Sequence, residues 1–331
     1  MDLERKSLRM GALVIACAVI LRLFSIGVFD PLAGIFQNPA AAAAFLYLET
    51  GRLVRYDSVD ATRSWEAESP PPELPPSPTH QSVHFTPADL ELVRIRYSTS
   101  YRPELEELLL SKLEWDLKSG EPTVLILHTH ATESYTKPLG ASYEESGDYR
   151  TADTGYNMVS IGDALAELLE EGGITVLHDR TLHDLPSYNG AYDASRSAVR
   201  AYLEQYPSIK LILDLHRDAA SSAGSQLSTT TTLGGQRSAR LMLVMGTGEG
   251  GLNYPNWQEN LSLALKLQVL LEQQMPGICR DLSLRSQRFN QDLHPGTLLV
   301  EVGAAGDTRE AALAAIKPLA EAILALAGGT E

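Results

Sequence analysis

Cysteine is nearly missing from this 331-residue chain: Cys17 and Cys279 are the only two, and Cys17 lies inside an apolar run. Neither a disulfide framework nor a thiolate zinc site can be built from them, so any metal must be held by His, Asp or Glu. Positive charge is scarce too. The 27 Lys+Arg stand against 42 Asp+Glu, a net charge of −15. That is the wrong sign for gripping a phosphate backbone, and no nucleic acid is expected as a partner. There is no G-x-S-x-G elbow or Walker loop, which leaves serine-hydrolase and nucleotide-hydrolase readings without an anchor. Internal repeats are absent as well. With 44% hydrophobic residues, 25 Gly and 18 Pro, collagen-like and wholly disordered chains are excluded, and the length suits one large or two ordinary domains.

Residues 11–29, GALVIACAVILRLFSIGVF, form an apolar run broken only by Arg22, which is long enough to cross a bilayer as one helix. Arg22 sits past the centre, where its stem can lift the guanidinium to the interface. Arg5, Lys6 and Arg9 precede the run and no further Lys or Arg follows it until Arg52. This bias puts the N-terminus in the cytoplasm and everything after residue 30 outside. A cleaved signal peptide shares the basic start and apolar run, but the small residues suited to cleavage, Ala40 to Ala44, lie far beyond the run. A retained anchor is therefore expected. Residues 39–55 suit a short Ala-rich helix. Positions 70–78 then hold six prolines, a stiff polyproline-like spacer that sets a domain away from the membrane surface.

From about Leu90 strands and helices alternate. Leu105, Leu108, Leu109 and Leu113 share a helical face, and Pro122 opens the strand TVLIL at 123–127. Met158, Ile161, Leu165, Leu168 and Leu169 recur at helical spacing up to Gly172-Gly173, and the strand ITVL follows. Helices are expected again at 192–205, 257–274 and 308–326, with strands at 209–215, 240–245, 282–286 and 297–302. The pattern predicts an α/β fold, a mixed, mostly parallel sheet with helices on both faces. It divides the chain into a cytoplasmic tip and anchor (1–30), a proline-rich linker (31–88) and a catalytic domain (89–327). Chemistry in such sheets gathers at the carboxyl ends of strands.

The first of these strands runs into His128-Thr-His130-Ala-Thr-Glu133, the richest cluster of metal-ligand types in the chain. In a tight turn the three-residue spacing of His130 and Glu133 sends both side chains to one side. The strand at 209–215 leads into Asp214-Leu-His216-Arg217, adding a second imidazole. Two His and a carboxylate, with one position left to water, form an open catalytic zinc set. The last strand carries Glu301. A carboxylate in a buried strand is costly, and becomes sensible if it takes a proton from the water at the metal. Each residue has an ordinary structural role open to it, a hydrogen-bonded strand-end His or an Arg-paired Glu. The joint occurrence at three strand ends favours function. His128 competes with His130 for the first ligand position, but belongs to the strand proper and lacks the paired Glu133. Asp214 can orient a ligand imidazole. Arg217 can hold a substrate carboxylate or oxyanion, or make a plain salt bridge.

His178, His183, His80 and His84 are expected to be solvated, and His294 to reach the rim of the site. Gly246-Thr-Gly248-Glu-Gly-Gly251 has the spacing of a dinucleotide loop, but Asn253, Pro255 and Asn256 stand where its helix should start, and no acidic residue closes a second strand. A cofactor-binding oxidoreductase is thus poorly supported.

The blocks VLILHTHATESY, LILDLHRDA and LLVEVG, with YNMVSIGDALAELLEEGGITVLHDRTLHD between the first two, resemble the stage II sporulation protein P family of endospore-forming bacteria. The likeness runs from about Leu90 to Leu326. It implies a fold similar to zinc-dependent N-acetylmuramoyl-L-alanine amidases and a peptidoglycan hydrolase that cuts the amide between muramic acid and the stem peptide, with peptide cross-links as a second target. It implies Zn2+ held by His130, His216 and Glu133, with Glu301 as base. Glu144, Glu145 and Asp153 are other sources for the carboxylate ligand. It also implies a mother-cell membrane location at the septum during engulfment, with the sporulation proteins D and M as partners. A metallo-carboxypeptidase acting on stem peptides and a non-catalytic wall-binding module are the rival classes.

The topology is testable directly. Protease added outside intact protoplasts is expected to remove the domain beyond residue 30. Protection of that domain with loss of the first ten residues would reverse the orientation.

Overall fold

The computed structural model describes residues 83–330, apart from 139, 141–142, 144–148, 223–224 and 234. The expected span at 11–29, the 39–55 helix and the proline-rich spacer lie outside the described residues. After a 3-10 turn at Pro87–Leu92 come β1 (Ile95–Ser98), α1 (Leu105–Leu110), β2 (Pro122–Leu127), α2 (Met158–Glu171), β3 (Thr175–His178), α3 (Ala191–Gln205) and β4 (Leu211–Asp218). Two small hairpins follow, β5 (Ser221–Ser222) with β6 (Ser225–Gln226) and β7 (Thr231–Leu233) with β8 (Gln236–Ser238). Then come β9 (Leu241–Gly246), α4 (Trp257–Gln274), β10 (Leu282–Arg285), β11 (Thr297–Ala304) and α5 (Arg309–Ala325).

The main sheet has the order β1-β10-β9-β11-β4-β2-β3, and only the β9–β11 pair is antiparallel. The mixed, mostly parallel sheet expected from the alternation is what forms. One antiparallel pair splits the sheet into halves of opposite direction. Strands β3, β2, β4 and β11 bring their carboxyl ends to one edge, and β9, β10 and β1 bring theirs to the other. His294, which precedes β11, is therefore at the far end of that strand from Glu301 and not at the rim of the site.

Strand alternation sorts the two faces. Val124, Ile126, Leu211, Leu213, Leu215, Val300 and Val302 point into the larger core, beneath α2, α4 and α5. Leu125, Leu127 and Ile212 point the other way, beneath Val199, Tyr202 and Leu203 of α3. Helices thus cover both faces, as the sequence pattern requires. The helix ends follow from capping chemistry: Asn157 accepts from the N–H of Val159 at the start of α2, and Thr308 from that of Ala311 at the start of α5. By length and composition α5 and the turn after it could cross a membrane, yet Ala312, Ala315, Ile316, Leu319 and Ile323 are core residues.

β4 runs beyond its predicted end at 215, so His216 stands inside a strand, and β11 carries Glu301 within the span expected for it. The register of β11 shifts between Glu301 and Ala304, where Gly303 adopts φ 75°; a Cβ there would meet Asp307 Oδ2 at 2.7 Å and Ala239 Cβ at 2.8 Å. Asp307 in turn accepts from the N–H groups of Ala304, Thr229 and Thr230, tying the connection after β6 to the end of β11. Gly303→Ala is expected to cost about 2 kcal/mol from the left-handed backbone alone and to lower Tm by about 4–8 °C. An unchanged thermal melt would remove this role for Gly303.

Candidate active site

The register of β11 on β4 pairs Glu301 with His216 and Leu299 with Asp214. Residues two apart on a strand share a face, so Asp214, His216 and Glu301 stand together on the face covered by α3. His130 follows β2 directly and meets them at the same edge, its ring centre 5.5 Å from that of His216. Tyr188 stacks on the other side of His130 at 4.3 Å, and Tyr192, in the first turn of α3, packs edge-on at 5.5 Å.

His216 lies between two carboxylates. Its Nδ1 is 3.3 Å from Glu133 Oε2, and its Nε2 is 2.9 Å from Asp214 Oδ1, outside hydrogen-bond alignment. Burial alone would lower the pKa of His216, but Asp214 and Glu133 outweigh it and raise it well above the ordinary value. Asp214 is itself fixed by Thr129, whose N–H and hydroxyl reach its two oxygens at 2.8 and 2.7 Å.

Glu133 is buried among donors: Arg150 Nη2 at 3.1 Å, the Arg217 N–H at 3.2 Å and Arg217 Nη1 at 3.6 Å. Burial opposes its ionisation, but the hydrogen bond and charge of His216, with Arg217 and Arg150 behind it, hold the pKa down at about 2. Arg150 also pairs with Asp184 at 3.1 Å. Arg217 is buried, donating to the carbonyls of Ser134 and Tyr149. The guanidinium groups line a cavity of about 370 Å³ with Tyr188, Ala219 and Gln226.

Glu301 has the opposite environment. It is half-buried as a residue, but its Oε2 is enclosed with no hydrogen-bond partner. Desolvation pushes its pKa up to about 8, against the pull of His216. His130 Nδ1 is likewise enclosed and unpartnered, and burial, with the charge of His216, lowers its pKa to about 4. Two carboxylates that both interact with His216 are thus driven in opposite directions, a pattern that separates a charge-holding group from a proton-exchanging one.

Among the described residues no group of three His, Cys, Asp or Glu is gathered into a ready metal cage. The pairwise spacings nevertheless suit a shared ion. Ligand atoms about 2.0–2.1 Å from a tetrahedral zinc stand about 3.3 Å apart, and two such imidazoles have ring centres about 5 Å apart. Glu133 with His216 and His130 with His216 give 3.3 and 5.5 Å. The donor set His130, His216 and Glu133 therefore fits zinc in kind, two of its three pairs have suitable spacing, and His130 offers an unpartnered nitrogen.

Both ring nitrogens of His128 are taken. Nδ1 faces the Leu215 carbonyl at 3.1 Å and Nε2 meets His178 Nε2 at 2.9 Å, while His178 Nδ1 reaches Asp163 at 2.9 Å. The expectation that His178 and His183 are solvated fails: His178 closes this chain behind the site, and His183 is buried against Asp179 at 2.9 Å. His178 is held inward by His128 and His183 by Asp179, contacts that periodicity does not reveal. Asp153 is exposed and caps its own turn through the Gly155 N–H; Glu144 and Glu145 lie outside the described residues. The Gly246–Gly251 loop is pinned by Glu249, which accepts from the Ser100 N–H at 3.0 Å, and it follows a strand whose carboxyl end is at the opposite edge. Arg150, Asp184, Tyr188, Tyr192 and Gln226 were not anticipated. Only the Asp184-Leu-Pro-Ser-Tyr188 turn, with its proline, carried a local signal, and that signal marks a loop without assigning a role.

Comparison with solved structures finds distant likenesses. An N-acetylmuramoyl-L-alanine amidase from Clostridium difficile 630 aligns at 15% identity and TM-score 0.38, over 63% of this chain and 97% of that one. The amidase AmiC2 of Nostoc punctiforme aligns at 16% and 0.36, over 61% and 95%. The amidase Ami1 of Mycobacterium smegmatis aligns at 11% and 0.38, over 64% and 99%. Likenesses this distant assign no residue roles. Comparison with curated protein sequences gave no match. The family model for stage II sporulation protein P matches residues 67–324, well over half of the chain, and the chain belongs to that family.

Proposed function

We propose that this protein is a zinc-dependent hydrolase of peptidoglycan, cutting the amide between N-acetylmuramic acid and L-alanine of the stem peptide during sporulation. The observation that carries the reading is Glu301 Oε2, enclosed without a partner beside His216. Family membership supplies the sporulation setting. The reading extends to anchorage in the mother-cell membrane at the septum, with sporulation proteins D and M as partners.

His130, Glu133 and His216 would hold the zinc. When bound, zinc polarises the scissile carbonyl and makes water more acidic. The remaining work belongs to the chain. Asp214, clamped by Thr129, faces Nε2 of His216 as its charge partner, and Nδ1 beside Glu133 would be the ligand nitrogen. Arg150 and Arg217 keep Glu133 ionised. Glu301, whose burial favours the protonated form, becomes a base once a cation nearby favours its ionised form. It takes a proton from the attacking water and returns it to the leaving amine of L-alanine. Tyr188 and Tyr192 hold the His130 ring from two sides.

Glu301→Gln keeps size and removes the basic lone pair. Sacculus hydrolysis is expected to fall by a factor of about 100 to 10,000 with zinc still bound, whereas His130→Ala and Glu133→Gln are expected to lower zinc per chain. The products decide the class: muramoyl lactyl groups with new L-alanine amines mean amidase, a released terminal amino acid means carboxypeptidase, and no new ends mean a wall binder. Near-normal hydrolysis by Glu301→Gln would discard the mechanism.

A pH effect follows from the same residue. In the metal-free protein the pKa of Glu301 rises from its ordinary 4.5 to about 8. The folded state then holds its proton more tightly than the unfolded one, so this group's stabilisation is full below pH 4.5 and is lost as pH rises towards 8. In chelator, the Tm of Glu301→Gln minus that of the parent is expected to increase steadily from pH 5 to pH 8. A flat difference would mean that Glu301 is ordinary.

A further inference from the structure

His130 is held between two tyrosines, and each also lines a cavity. Tyr188 lines the polar cavity with Arg150 and Gln226. Tyr192 lines a second cavity, of about 310 Å³, whose walls include Leu252, Phe289 and Asn290. The two tyrosines thus connect the His130 ring to both cavities.

The second cavity is built at a conformational cost. Phe289 and Asn290 are consecutive non-glycine residues at φ 53° and 57°, and left-handed backbone costs about 1–2 kcal/mol per residue. Strain of this kind persists where surroundings impose it, and it gathers at binding sites. Here the imposing contacts are specific. Asn290 Nδ2 donates to the Tyr192 carbonyl at 2.7 Å and to Ser195 Oγ at 3.2 Å, and Arg196 donates to Asn290 Oδ1 at 3.1 Å. They turn Phe289 over Met242, Val244 and Leu299, on the sheet face that carries Glu301, with its ring centre 6.3 Å from that of Tyr192. Leu252 stands at the rim, 53% exposed.

The cavity is also electrically balanced. Arg196 meets Asp292 through both terminal nitrogens at 2.8 and 2.6 Å, and Arg288 meets the same carboxylate at 3.1 Å. Asp193 supplies the second negative charge. A wall of two aromatic rings and a leucine, with its charges cancelled and polar groups at the edge, suits an uncharged ring carrying hydroxyl and amide groups better than a carboxylate-rich peptide.

Building on the amidase reading, we infer that the Tyr192–Phe289–Leu252 cavity is the sugar subsite, taking an N-acetylated hexosamine of the glycan strand while the stem peptide lies towards Arg150 and Gln226. The test uses the full chain carrying Glu301→Gln, so that binding is measured without turnover. Peptide-free glycan strands and free stem peptides are titrated separately by calorimetry. Leu252→Asn and Phe289→Gly are expected each to weaken glycan binding about five- to tenfold, the equivalent of one lost aromatic or apolar contact, and to leave peptide affinity unchanged. Leu252 is exposed and glycine accepts φ 53°, and thermal melts of both variants check that each is folded before binding is compared. Glycan binding that ignores both variants, a loss on the peptide instead, or no glycan binding by the parent overturns the subsite. Sacculus hydrolysis by the unaltered chain separates the two readings. Hydrolysis with insensitive glycan binding discards only the subsite, and sensitive glycan binding without hydrolysis discards only the amidase.

Discussion

The pairing of β11 with β4 is the constraint on which the site depends. One parallel register puts Glu301 beside His216 and Leu299 beside Asp214. A slip of one residue would turn Glu301 into the large core under α2, α4 and α5, where no charge is provided for it. The register is held by the apolar residues between the functional ones. Leu298, Val300 and Val302 bury in that core, and Leu213 and Leu215 do so on β4. The alternation of two kinds of residue along two strands is therefore both the packing code of the sheet and the positioning device of the site.

Around that pair the protein distributes charge unevenly. Glu133 receives two guanidinium groups and an imidazole, Asp214 receives Thr129 and the other side of the same imidazole, and Glu301 has no hydrogen-bond donor on Oε2. All three carboxylates interact with His216. Their different proton affinities come from the count of donors and not from distance to the surface. Such a site tolerates the loss of an oriented donor poorly, because the remaining partners were placed for a particular balance.

Much of this was legible in the sequence because strand and helix periods are strong in this chain. The strand TVLIL, the 158–171 helix and the alternating order of elements predicted the sheet, and the clusters at His128–Glu133, Asp214–Arg217 and Glu301 fell at one edge of it. Two things were not legible. Strand ends depend on neighbours: β4 continues past 215 because β11 supplies its hydrogen bonds, so His216 lies within the strand. Long-range partners leave no local trace. Arg150 meets Glu133 and Asp184 across chain separations of 17 and 34 residues, and Phe289 reaches Tyr192 across nearly a hundred positions. The burial of His178 was missed for the same reason, since its partners belong to α2 and β2. The parallel pairing of β11 with β4, which leaves His294 at the end of β11 away from the site, was likewise a property of the sheet and not of any segment.

The hydrogen-bonded chain behind β2 has a fixed sense. The Leu215 carbonyl can only accept, so His128 must carry its proton on Nδ1 and present a bare Nε2. His178 must then donate from Nε2, which leaves its Nδ1 towards Asp163 as the only nitrogen of the pair whose proton can come or go without breaking the chain. Gly162 keeps the passage open, because a Cβ there would lie 2.5 Å from His178 Nε2 and 2.6 Å from His128 Nε2. One backbone oxygen on β4 thus dictates the tautomers of two imidazoles, and any uptake of a proton in this part of the molecule occurs on the solvent side of α2, away from the turn that carries His130.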